Sequence, residues 1–219
     1  MINFSSGLIF LLGALAALGA AAIDMYLPSL PSIESELGGV GGSAQFTLSS
    51  FFIGLGLGQL FYGPISDSLG RRKVLVVGLL IYCLGSLFCF FAGTMMELVA
   101  ARFFQALGAA AGGVIARAMV RDVFTGKKAA QAQSFINLAF SFTPLMAPLF
   151  GGYLLIFFGW RSIFLALLLF GIICLLILIL KIPETLPKKK RNTLGLVSIV
   201  LGYRRILRNS RSIGSILSG

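Results

Sequence analysis

The sequence has no histidine, a single tryptophan and only three cysteines. Without histidine there is no Ser-His or Cys-His catalytic pair and none of the common intramembrane metal sites. Cys83, Cys89 and Cys174 lie inside apolar runs with no disulfide or metal spacing, so they read as small hydrophobes. A membrane enzyme lacks its nucleophile–base pair, and no metal or cofactor is expected. Charge is also scarce, at 11% of 219 residues. A soluble domain needs more polar surface than that. With 58% hydrophobic residues and a mean hydropathy of +0.97, the composition implies an all-α membrane protein. Acidic residues number 7 against 18 Lys and Arg, a net charge of +11. The cations lie between apolar runs, so they mark topology and contact with lipid headgroups, and no nucleic-acid partner is expected.

Six segments approach the ~20 residues that span a bilayer. They cover 7–26, 44–65, 74–93, 98–120, 134–157 and 162–182. The first resembles a signal peptide at Ala20–Ala22, but the six residues before it carry no Lys or Arg, so a retained helix is expected. The loops after segments two and four carry three cations each and the tail nine, together 15 of the 18. Arg161 stands alone after segment five, and Arg102 and Arg117 lie inside segment four. The positive-inside rule then places both termini in the cytoplasm and Glu34 outside.

Segments three and six are apolar nearly all round and are expected to face lipid. The other four carry small or polar stripes at helical spacing. Segment one has Gly13, Ala17, Ala20 and Asp24; segment two has Gln45, Ser49, Gly56, Gln59 and Gly63. Segment four has Arg102, Gln105, Ala109, Gly112 and Ala116; segment five has Asn137, Ser141, Pro144, Pro148 and Gly151. Such stripes pack closely or line a cavity. The order is two three-helix groups whose last member is apolar, a repeat of character common in transporters.

Two readings of Asp24 stand: a protonatable group in a pathway, or a helix-end residue solvated by the outer loop. Arg102 either pairs with Asp24 and shifts its pKa, or snorkels to outer headgroups. The stretch GPISDSLGRRK, Gly63 to Lys73, is expected to be a tight turn at the membrane surface. It holds Asp67 ahead of Arg71, Arg72 and Lys73, with glycines at Gly63 and Gly70. Asp122, at the end of segment four, belongs to the same membrane face.

These residues carry a resemblance. The pattern G-x-x-x-D-x-x-G-R-R-K resembles the loop between helices 2 and 3 of the major facilitator superfamily. ARFFQALGAAAGG resembles that family's fourth-helix motif, with Ala106 where a glycine usually stands. APLFGG, containing Pro148, Gly151 and Gly152 and preceded by Pro144, resembles the antiporter motif, with Ala147 in place of its first glycine. With DMYLPSLPSI and PETL, the chain resembles the bicyclomycin- and chloramphenicol-resistance branch of the drug:proton antiporters. The resemblance implies the N-terminal half of a major facilitator fold, residues 1–182, in a bacterial inner membrane. It implies proton-driven export of small lipophilic drugs, with the proton gradient as energy source and no cofactor. Asp24 or a nearby group would exchange a proton for drug, with Arg102 and Gln105 in the pathway. Gly63, Asp67, Gly70, Arg71, Arg72 and Asp122 would form the cytoplasmic gate.

Residues 183–219 are expected to form a basic linker, a surface helix and the start of a seventh transmembrane helix. That implies a missing C-terminal half, supplied separately or replaced by a second copy. The rival is a non-transporting fragment, inert by itself. Orientation is checked by single-cysteine labelling in intact cells. An impermeant reagent is expected to reach position 34 and not positions 71 or 127. Labelling at 71 overturns the orientation.

Overall fold

The computed structural model describes residues 6–38 and 41–187. Among them are seven α-helices, one 3-10 turn and no strand. Six helices are long and apolar enough to cross a membrane: α1 (Ser6–Asp24), α3 (Gln45–Leu69), α4 (Arg71–Phe91), α5 (Met95–Val123), α6 (Gly126–Phe158) and α7 (Arg161–Lys181). Of the linker, surface helix and seventh span expected over 183–219, all but residues 183–187 lie outside the described residues.

The helices overrun the apolar windows. The fifth begins at Gly126 rather than near 134, and the second runs to Leu69 rather than 65. Hydropathy marks where lipid ends, whereas a helix ends where its backbone is capped. Thr94 starts α5 in a capping box: Glu97 N–H donates to the Thr94 hydroxyl at 3.2 Å, and the Glu97 carboxylate accepts from the Thr94 N–H at 3.3 Å. Pro64, Pro144 and Pro148 lie inside helices that continue through them. The expected outer loop is itself ordered, as a 3-10 turn at Leu27–Ser29 and α2 at Leu30–Glu36. Pro28 and Pro31 stand in their first turns, where a missing N–H costs nothing.

α5 is the central helix. It packs against α3, α4 and α1; α7 covers α4, and α6 covers α1. The close approaches occur where a Cβ is absent. A Cβ on Gly54 would stand 2.5 Å from the Phe103 carbonyl oxygen, and one on Gly85 2.5 Å from the Gln105 nitrogen. One on Gly108 would collide with the Tyr82 backbone, and one on Gly112 with the Leu15 carbonyl. Lipid gives apolar side chains no reason to leave it, so such van der Waals contact largely holds membrane helices together.

This corrects the expectation that segment three only faces lipid. α4 buries ten residues, including Tyr82, Gly85, Ser86 and Cys89, and keeps an outer face at Val77, Leu84 and Phe88. Its small residues outweigh its hydropathy. The striped helices α3 and α6 are the exposed ones, with Gln45, Ser49, Gln59 and Asn137 on the surface of the bundle. The stripe of α5 is wholly internal.

The glycines divide into two sets, and the difference is testable. Gly108→Val forces two backbones apart and is expected to destabilise the bundle by about 1–3 kcal/mol. At Gly152 an added Cβ meets nothing within 4 Å, and Gly152→Val is expected to stay within about 0.5 kcal/mol. Thermal unfolding in detergent measures both; equal effects would refute the assigned packing.

Candidate functional site

All four striped helices meet at one cleft of about 390 Å³. α1 contributes Ala16, Gly19, Ala20, Ile23 and Asp24; α3 contributes Phe52, Leu55 and Gln59. α5 adds Ala109, Ala110, Gly113 and Arg117, and α6 adds Phe140 and Pro144. The walls are small or apolar, with Asp24, Gln59 and Arg117 as the polar groups. Small residues on α1 and α5 keep the floor low and leave the volume empty. Asp24 is half-buried at the last residue of α1. It makes no hydrogen bond or ion pair with a described residue.

Arg102 and Gln105 lie behind this cleft, not in it, which corrects their expected place in the pathway. Arg102 is fully buried. Its Nη1 donates to the Ala22 carbonyl at 3.0 Å and to Gln105 Oε1 at 2.7 Å. Its guanidinium carbon sits 4.2 Å from the Phe51 ring centre and 4.4 Å from that of Tyr26, with Phe164 at 5.8 Å. Those π-faces stand where a carboxylate would otherwise be needed. The expected Arg102–Asp24 pair is absent, because Arg102 reaches the α1 backbone two residues earlier. Gln105 in turn donates to the Ser86 hydroxyl at 2.9 Å. Both residues therefore have partners inside this bundle.

The antiporter-like stretch of α6 is split by the structure. Pro144 lines the cleft. Gly151 lies against the Met25 carbonyl, where a Cβ would collide, so α6 seats directly on the residue after Asp24. Gly152 faces open space. Pro148, between Pro144 and Gly151, is half-buried.

Residues expected to form the gate come together at the other end. Residues 63–69 are the last turns of α3 and Arg71 opens α4, so the expected eleven-residue turn is one residue, Gly70. Its φ of 102° suits glycine alone. Gly63 is helical, six residues before the helix end, and takes no part in the reversal. Arg71 is nearly buried and forks to three acceptors: Nη2 to Asp67 at 2.5 Å, Nε to Asp122 at 3.0 Å and Nη1 to Ser66 Oγ at 2.7 Å. Its backbone N–H donates to Glu184 at 2.9 Å, which caps α4 from beyond α7. Arg72 donates to the Ile179 carbonyl near the end of α7 at 2.7 Å, where a cation suits the helix dipole.

The opposite end has a clamp that the sequence does not announce. Glu36 accepts from Trp160 Nε1 at 2.6 Å and from the Arg161 guanidinium, and Arg161 also donates to the Ala92 carbonyl at 3.1 Å. Ser66, Glu184 and Tyr26 are further contributors missed. Ser66 sits inside GPISDSLGRRK and Glu184 inside PETL, so both stretches were visible; their meeting required the fold.

Arg71 uses the planar fork of a guanidinium, which an ammonium cannot reproduce. Arg71→Lys is therefore expected to lower stability nearly as far as Arg71→Ala, by about 1–3 kcal/mol for bonds to charged groups. Full rescue by lysine in thermal unfolding would show that charge alone matters there.

Comparison with known proteins agrees with this architecture. The family model described as Major Facilitator Superfamily matches residues 9–219. The chain is 40% identical over 213 residues to the MFS-type transporter YdgK of Bacillus subtilis (strain 168), covering 96% of this chain and 53% of that protein. It is 34% identical over 206 residues to a bicyclomycin resistance protein homolog of Haemophilus influenzae, covering 94% and 52%. It is 34% identical over 203 residues to multidrug resistance protein D of Escherichia coli (strain K12), covering 93% and 50%. The chain thus spans about half the length of these curated relatives. Among solved structures, a bacterial homolog of the human lysosomal transporter Spinster superposes with TM-score 0.70 at 21% identity, over 89% of this chain and 46% of that one. A proton:xylose symporter superposes with TM-score 0.69 at 18% identity, over 83% and 46%. Six membrane helices and half-length coverage fit the N-terminal half of this fold. With a family match from residue 9 onward and a bundle that superposes on transporters of that fold, the chain belongs to the Major Facilitator Superfamily.

Proposed function

We propose that the chain is the N-terminal half of a proton-coupled exporter of small lipophilic drugs in a bacterial inner membrane, with both ends of the half on the cytoplasmic side. One observation carries the reading. Asp24 is the carboxylate of a cleft in which the four striped helices converge. An intramembrane carboxylate with no partner titrates at a cost that a bound drug can change. Protonation would remove its charge and release a polar or cationic drug group; loss of the proton would let drug rebind. The relatives named for bicyclomycin and multidrug resistance support drugs as the substrate class.

In this reading the two halves rock about the cleft. The Asp67–Arg71–Asp122 cluster holds the cytoplasmic side closed, and the proton gradient supplies the energy without a cofactor. The exposed stripes of α3 and α6 favour a second polypeptide half, or a second copy, as the facing wall. By itself the chain would then bind membrane and not pump, which is the fragment reading. The experiment uses the two-half transporter, with the second half supplied in cis or in trans. Asp24→Asn is expected to abolish proton-driven drug efflux while the protein still reaches the membrane. Uphill export at the normal rate by Asp24→Asn would make Asp24 an interfacial residue and sink the mechanism.

A further inference from the structure

Arg117 is a cation for which the mechanism above has no use. It stands within the membrane span of α5, half-buried, and lines the same cleft as Asp24. It makes no hydrogen bond or ion pair with a described residue. The chain has seven carboxylates, and six are engaged elsewhere. Asp67 and Asp122 hold Arg71, Glu36 holds Arg161, and Glu184 caps α4. Glu97 caps α5, and Glu34 accepts from Ser43. Only Asp24 is left, and it is distant. Leu15 touches Gly112, and α1 and α5 run antiparallel, since Ala22 meets Arg102. Asp24 lies nine residues beyond Leu15, and Arg117 five residues the other way. At 1.5 Å per residue their backbones are roughly 20 Å apart along the axis.

The space beside the guanidinium is open. Gly113, one turn earlier on α5, also lines the cleft, and an added Cβ there meets nothing within 4 Å. Phe52, Leu55 and Phe140 supply apolar wall between the two charged ends. An unpaired guanidinium in an apolar span is costly unless water or a ligand engages it. It is always charged, and its fork matches a carboxylate or sulfonate.

We propose that Arg117 determines specificity: it engages an anionic group of the substrate, so that with Asp24 at the far end the cleft favours elongated zwitterionic amphiphiles over simple cations. This rests on the drug-export reading. It goes further by naming the charge pattern of the substrate and the residue that reads it.

Two dyes make the test. Rhodamine B and rhodamine 6G share a cationic xanthene body; the first carries a free carboxylate where the second carries an ester. Export of each is measured in efflux-deficient cells bearing the two-half transporter, normalised to protein in the membrane. Arg117→Gln is expected to lower rhodamine B export roughly five-fold relative to rhodamine 6G, as for loss of one partly hydrated charge contact. Arg117→Lys, which keeps the charge without the fork, restores the ratio in part. Gly113→Val fills the space beside the guanidinium without touching its charge and lowers the ratio as well. An unchanged ratio in Arg117→Gln and Gly113→Val, with both dyes exported, overturns the inference alone and leaves Arg117 as a snorkelling cation. Failure of the wild-type protein to export either dye overturns the drug-export reading, and this inference with it.

Discussion

The bundle depends on backbone touching backbone along α5. In hydrocarbon, every backbone N–H and C=O must be satisfied within its own helix, which leaves side-chain shape to decide how helices meet. α5 meets α3, α4 and α1 at positions where a single Cβ would collide: Gly54 against Phe103, Gly85 against Gln105, Gly112 against Leu15. The last of these contacts sets the height of α1 relative to α5. That height puts the Ala22 carbonyl within reach of Arg102 and carries Asp24 past it into the cleft. Asp24 lies only two residues beyond that carbonyl, about 3 Å along the axis. Site geometry here is a consequence of small-residue packing.

Charges are kept by two different means. At the Gly70 end, where water is near, Arg71 is compensated by Asp67 and Asp122 and its geometry fixed by Ser66. At the Glu36 end the same device pins α2 to the α6–α7 turn through Trp160 and Arg161. Within the span, a buried carboxylate would add its own desolvation cost to that of the cation. Arg102 instead lies among the faces of Phe51, Tyr26 and Phe164 and donates only to neutral oxygens. It is thus a structural cation joining α1 to α5, while Asp24 has no partner among the described residues.

Much of this was legible because lipid imposes simple rules. Six apolar windows gave six spans, and Asp24, for which the sequence left two readings open, lines a cleft. The structure joins Asp67 and Arg71 of GPISDSLGRRK to Asp122 of α5, across a turn that is one glycine long. Burial was less legible. α4 looks lipid-facing by hydropathy and is half interior, because Leu and Val are as content against protein as against lipid. The partners of Arg102 were also misjudged. Sequence spacing puts Asp24 and Arg102 on facing helices, but it does not fix their relative height, and a shift of two residues replaced a carboxylate by a carbonyl. Glu184 was invisible as a partner of Arg71 because a contact spanning 113 residues leaves no local pattern.

The two kinds of glycine bear on what lies across the cleft. Gly54, Gly85, Gly108, Gly112 and Gly151 are occupied against neighbours within the bundle, whereas Gly56, Gly63, Gly113 and Gly152 face empty space. In a helix a glycine that packs on nothing costs stability relative to alanine, by about 1 kcal/mol, and gains nothing in return. Gly56 and Gly63 share the exposed face of α3 with Gln59, and Gly152 follows the Met25 contact on α6. Polar and Cβ-free surface beside lipid is uncompensated on both counts. In the proposed two-half transporter the same surface becomes the seam, where Cβ-free positions admit a facing helix and Gln59 gains a partner or water. The cleft would then lie along that seam, walled on this side by α1 and α5, with Asp24 and Arg117 at its two ends.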